Sequence, residues 1–204
     1  MDELLCWVGI AAVAVNAITG VLEAERKQMD LVGAVMVGTA TALGGGTLRD
    51  VLLDREVFWI ANQVYLSTGI GIALLTFFWA RRRRLSPELF LYPDAVGLAL
   101  FAVIGTQAAL QWQTPWLVAS LMGVITGVFG GVLRDMFCNQ VPLVFLPGEL
   151  YATAAWVGAL ILIGLQTLGA DATLSAWIAI GASFLLRSAA IRFQIRLPTF
   201  PAKP

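Results

Sequence analysis

Apolar residues fall in seven blocks, separated by short polar or turn-rich stretches. Each block is about twenty residues long, the length a helix needs to cross roughly 30 Å of hydrocarbon. The pattern predicts helices over residues 4–24, 31–53, 62–80, 90–110, 116–137, 149–168 and 172–192. The connections carry turn signals such as Ser86-Pro87, Pro147-Gly148 and Gly169-Ala170-Asp171. No linker or low-complexity tract interrupts them, so residues 1–204 read as a single transmembrane domain.

The pattern also repeats. Residues 38–50 (GTATALGGGTLRD) and 123–135 (GVITGVFGGVLRD) superimpose on a shift of 85, that is 134 − 49. The same shift places Gly20 on Gly105, Ala14 on Ala99 and Ala17 on Ala102. One further residue brings Tyr65 onto Tyr151 and Ala73 onto Ala159. Repeat one covers about 4–80, repeat two about 90–168, and a last helix at about 172–192 is extra. A three-helix unit ends on the face opposite its start, so its copy enters the membrane upside down. The expected fold is an all-α membrane protein with seven transmembrane helices, arranged as an inverted 3+3 repeat plus one. Transporters use this plan, with sites on broken helices at the repeat interface.

Composition agrees. The chain is 59% hydrophobic, against about 45–50% for a soluble domain, and its mean hydropathy is +0.82. Zero net charge offers nothing to a nucleic acid. The start Met1-Asp2-Glu3 is acidic, unlike a cleavable signal peptide, so the first block is expected to remain as a helix. Arg26 and Lys27, the run Arg81 to Arg84, and Arg192, Arg196 and Lys203 all fall on one side of a seven-helix plan. The positive-inside rule puts that side in the cytoplasm, with the N-terminus outside. Only Arg55 lies in an external loop. Trp7, Trp59, Trp112, Trp116 and Trp177 fall near external helix ends, as an aromatic belt would. Cys6 and Cys138 then lie on opposite faces, too far apart for a disulfide. Histidine, the commonest metal ligand, is absent from the sequence.

The candidate chemistry sits in the doubled motif. Small residues Gly38, Ala42 and Gly46, and Gly123, Gly127 and Gly131, recur every four residues and suit close helix packing. Gly44, Gly45 and Gly130 lie off that face, where glycine costs about 1 kcal/mol against alanine. They point to a bend or unwound turn that frees carbonyls. Such a break requires protein or water to satisfy it. With the hydroxyls of Thr41 and Thr126, freed carbonyls replace part of an ion's hydration shell. Arg49-Asp50 and Arg134-Asp135 follow the glycines, and buried charges of this kind mark functional sites. Neighbours on a helix point about 100° apart and need not pair. Straight helices hold the two arginines ~20 Å apart, so each pair is expected to line its own vestibule rather than cross-pair as Arg49–Asp135 and Arg134–Asp50. Glu23 and Asp94 read as interfacial residues. Arg187 reads as a snorkelling side chain, and the four-arginine run as a contact for anionic membrane lipids.

The 3+3+1 pattern with Gly-Gly-Gly-Thr-Leu-Arg-Asp (44–50) and Gly-Gly-Val-Leu-Arg-Asp (130–135) resembles the bacterial branch of the trimeric intracellular cation (TRIC) channel family. The resemblance covers nearly the whole chain. It implies a homotrimer in the bacterial inner membrane, with a pore in each protomer. It implies kinks at Gly44, Gly45, Gly46, Gly130 and Gly131 in the second and fifth spans, which line that pore. Arg49, Asp50, Arg134 and Asp135 become charged pore-region residues, and monovalent cations, chiefly potassium, the cargo. Animal members bind phosphoinositide through Lys-Glu-Val. The local match Arg55-Glu56-Val57 has arginine for lysine in an external loop, so lipid gating is not carried over.

Two functions stay open at this point: a passive monovalent cation channel, and a secondary transporter of a small zwitterion such as glycine. No nucleophile–base set, metal-ligand cluster or phosphate loop points to an enzyme or to a cofactor, and no metal is expected beyond transient potassium or sodium.

Overall fold

A computed structural model describes residues 2–82, 90–146 and 150–198, with side chains from residue 6 onward. Arg83, Arg84, Ser86-Pro87, Pro147-Gly148 and Lys203 lie outside the described residues. The chain is built from α1 (Asp2–Arg26), α2 (Leu31–Leu52), a short α3 (Phe58–Ala61), α4 (Gln63–Ala80), α5 (Leu91–Gln111), α6 (Trp116–Phe137), α7 (Ala152–Thr167) and α8 (Ala172–Phe193). A 3₁₀ turn, Leu143–Phe145, precedes α7. Among the described residues six helices are long and apolar enough to cross a membrane; α7, with 16 residues, is shorter. The protein is a multi-pass membrane protein.

The predicted helices match these within a few residues, apart from two short elements. The loops at 54–62 and 138–150 are not plain connections: α3 and the 3₁₀ turn occupy corresponding places in the two repeats, Phe58 and Leu143 being 85 apart.

Packing obeys the inverted repeat. In repeat one α1 lies against α2 and α4, and α2 against α4; α5, α6 and α7 reproduce those three contacts. The repeats meet through α1 on α5 and α2 on α6, and α8 closes the outside of α5 and α7. The helices meet through small residues, and Ala12, Ala17, Ala24, Ala95, Ala99, Ala102 and Ala109 are buried at the contacts. Lipid tails give no hydrophobic drive between helices, so close backbone approach and its dispersion energy hold such a bundle.

The correspondence reaches the helix ends. Gln28 and Gln113 take positive φ of 55° each, and Asp54 and Asn139 take 50° and 53°, at positions 85 apart. After α2 the amide of Arg55 donates to the Asp50 carbonyl; after α6 the amide of Gln140 donates to the Asp135 carbonyl. These left-handed caps satisfy carbonyls that the helix leaves orphaned. They use Gln, Asp and Asn in place of glycine, which hides them from a search for C-terminal glycines.

Candidate functional site

The glycines do not unwind the helices. α2 is α-helical from Leu31 through Leu52 and α6 from Trp116 through Phe137, so the expected unwound turn at Gly44–Gly46 and Gly130–Gly131 is absent. Gly45 and Gly130 are points of close contact between the two helices. A methyl group added at Gly45 would collide with the Thr126 carbonyl oxygen, and one at Gly130 with the Thr41 carbonyl oxygen. The two collisions are symmetry mates, so the pseudo-two-fold axis runs through this crossing. Gly44 leaves room for the Leu133 side chain, Gly46 for the Phe58 ring and Gly131 for the Tyr151 hydroxyl.

The threonine hydroxyls bond within their own helices. Thr41 Oγ1 donates to the Val37 carbonyl at 2.7 Å and Thr126 Oγ1 to the Met122 carbonyl at 2.6 Å. Both are buried, so their protons are spent on their own helices.

Each Arg-Asp pair is an internal clamp. Arg49 Nε donates to Asp50 Oδ1, and Arg134 Nε to Asp135 Oδ1, both at 2.8 Å. The second aspartate oxygen accepts the backbone N–H that opens the next short element. The donors are Phe58 for Asp50 and Leu143 for Asp135, at 2.9 Å each. The sequence neighbours therefore do pair, through the short arm of the guanidinium. The alternative Arg49–Asp135 and Arg134–Asp50 pairs do not form. The aspartates act first as capping groups for α3 and the 3₁₀ turn, which fold the loop back onto the helix end.

Beyond the clamp the repeats diverge. Arg134 is fully buried; its Nη1 also bonds Asp94 Oδ1, and its guanidinium stands 5.1 Å from the centre of the Phe90 ring. Asp94 Oδ2 and Arg134 Nη2 have no hydrogen-bond partner among the described residues. Arg187 of α8 is buried over the Tyr151 ring, 4.9 Å from its centre. Glu23 is buried and accepts from Gln140 Nε2 at 2.7 Å and Arg26 Nη1 at 2.9 Å. Asp94, Glu23 and Arg187 are thus interior groups, not interfacial or snorkelling ones. Helix position alone put Asp94 and Glu23 near the surface. The neighbouring α6 and the turn after it cover them.

Arg49 lies at the other end of the bundle, where α2 finishes. It lines a cavity of about 210 Å³ with Gly9, Arg55, Phe58, Tyr65 and Gln111. Its guanidinium stands 5.7 Å from the centre of the Phe58 ring. Arg55 Nε approaches Asp50 Oδ1 at 3.4 Å. One arginine therefore faces a cavity as expected, whereas its mate is sealed among carboxylates and aromatic rings. A larger apolar groove, about 630 Å³, runs along α2 past Thr39, Leu43 and Gly44 to Phe129 and Leu133 of α6.

A family model described as "Glycine transporter" matches the chain twice, over residues 6–81 and 91–167, once for each repeat. The inner membrane protein YadS of Escherichia coli K12, grouped as UPF0126, is 38% identical over 200 residues, covering 97% of this chain and 96% of that protein. A UPF0126 membrane protein of Vibrio cholerae is also 38% identical, over 97% of this chain and 83% of its own length. Among solved structures, the TRIC orthologue from Rhodobacter sphaeroides superimposes with a TM-score of 0.89 at 38% identity, covering 93% of this chain and 98% of that one. The chain belongs to the TRIC family. A second TRIC cation channel structure has a TM-score of 0.87 at 30% identity, with 97% of each chain covered. The TRIC fold is thus carried by a sequence whose two halves each satisfy one family model.

Proposed function

We propose that this TRIC-family chain is a passive, non-enzymatic channel for monovalent cations, chiefly potassium. It works as a homotrimer in the bacterial inner membrane, with the N-terminus outside and the C-terminus in the cytoplasm. The observation that carries this reading is the near-complete structural likeness, at family-level sequence identity, to solved TRIC cation channels. Each protomer holds its own path along α2 and α6.

On this reading the path closes where Gly45 and Gly130 approach the opposing helix. Opening requires α2 and α6 to separate or bend at Gly44–Gly46 and Gly130–Gly131. Glycine permits this with the least steric cost. The Thr41 and Thr126 carbonyls and hydroxyls at the crossing then supply oxygen ligands to a passing ion. Arg49-Asp50 and Arg134-Asp135 anchor the ends of the moving segments.

Purified protein in a planar bilayer under a potassium chloride gradient tests this. Unitary currents with a cation-selective reversal potential are expected. Saturable uptake of labelled glycine without unitary currents would overturn it.

A further inference from the structure

The cavity at Arg49 lies where repeat one lacks a carboxylate that repeat two has. Asp94 and Gly9 are 85 apart and so occupy equivalent places on α5 and α1. At Arg134 the Asp94 carboxylate adds a second anion to that of Asp135. At Arg49 the equivalent residue has no side chain; Gly9 and Arg49 line the same cavity, and the Tyr65 ring edge and hydroxyl lie 3.1 and 3.3 Å from where a Cβ of residue 9 would sit. Glu23, the other buried carboxylate near Arg134, is matched by Ala108, which also lines it.

Charge follows the same asymmetry. Asp50 serves both Arg49 and Arg55, two cations to one anion. None of the cavity's lining residues is acidic. Phe58, Phe101 and Ile104 form apolar walls, which strengthen any ion contact inside. Arg49 is 4% exposed, so its charge is held largely out of water.

We propose that this cavity, between α1, α2, α4 and α5, is a binding site for a small monocarboxylate, which takes beside Arg49 the place that the Asp94 side chain holds beside Arg134. The missing group is a methylene carboxylate, so acetate is the ligand of matching size and charge. Arg49 supplies the primary hydrogen bonds, Arg55 the second positive charge, and the Tyr65 hydroxyl a further donor. A zwitterion such as glycine fits worse, because its ammonium would stand among arginines with no free carboxylate. The site does not depend on the channel reading, and binding is measurable without conduction.

The test is isothermal titration of the full chain in detergent with potassium acetate, chloride, phosphate and glycine at constant ionic strength. Acetate is expected to bind at one site per protomer, with chloride, phosphate and glycine each at least ~10-fold weaker. Gly9→Asp, which restores the internal carboxylate, should abolish acetate binding. If that variant does not fold, Arg49→Gln decides the point and should also abolish it. Arg55→Gln should weaken it by about tenfold. Equal binding of chloride, preference for phosphate or glycine, or acetate binding that survives Gly9→Asp or Arg49→Gln overturns the proposal.

Discussion

The ends of α2 and α6 carry the same motif and the same clamp, yet different surroundings. Around Arg134 the bundle supplies Asp94 and the rings of Phe90 and Tyr151. Around Arg49 it supplies Arg55, the Phe58 ring and a cavity of about 210 Å³. A duplicated motif therefore fixes local geometry in both copies. The unrepeated residues on α1 and α5 decide whether the arginine is a sealed structural ion or a reachable one. Buried pairs stabilise little against an apolar isostere but cost several kcal/mol when one partner is removed. The two arginines should thus respond very differently to the same substitution.

The largest effect should come where the repeats are alike. Leucine at Gly45 or at Gly130 places a side chain against the opposing backbone, which does not yield as a side-chain tip would. The collision is with backbone, so each leucine should cost more than the usual overpacking penalty of about 1–3 kcal/mol, and the doubled variant should lose its monodisperse folded form altogether, read by size exclusion and thermal unfolding. A folded double variant with unchanged unfolding temperature would return these glycines to the hinge role alone.

Next comes the contrast itself. Arg134→Gln or Asp94→Asn should each cost about 3–5 kcal/mol in unfolding free energy, by leaving a buried charge without its partner. Arg49→Gln should cost less, because the cavity reaches its guanidinium. A double-mutant cycle should find strong coupling between positions 134 and 94. Equal costs at the two arginines would erase the distinction.

The shared clamp gives a smaller effect. Asp50→Asn and Asp135→Asn each weaken an arginine bond and an N–H cap, at about 1–3 kcal/mol. The loss should be the greater at Asp50, the carboxylate that Arg49 and Arg55 share, because Arg134 keeps Asp94. The loop holding Phe58 or Leu143 should become more open to hydrogen exchange.

The smallest effect concerns the thiols. Cys138 is buried just past α6, and burial, with the negative charge of Glu23, pushes its thiol up to about 11. The thiolate is the reactive form, so Cys138 should stay unlabelled by maleimide between pH 7 and 9 in the folded protein. Cys6, half-buried beside the Arg49 cavity, should react faster. Acetate should slow its labelling if the cavity fills.

The sequence by itself determined the helices, because bilayer thickness sets their length and apolar character. It also determined the inverted repeat and the Arg-Asp motifs, which are visible as identities at a constant shift. Only the tertiary structure revealed the close approach at the glycines. Absence of a Cβ serves both bending and close approach, and the Thr126 and Thr41 carbonyls that Gly45 and Gly130 meet lie 81 and 89 residues away (126 − 45 and 130 − 41). It likewise decided that Asp94 belongs to Arg134. That pairing joins two helices through a carboxylate whose counterpart in repeat one is Gly9, so neither periodicity nor repetition signals it. The left-handed caps at Asp54 and Asn139 escaped for a related reason: their identity is ambiguous locally, and the backbone hydrogen bonds that define them form only once the helix ends fold back.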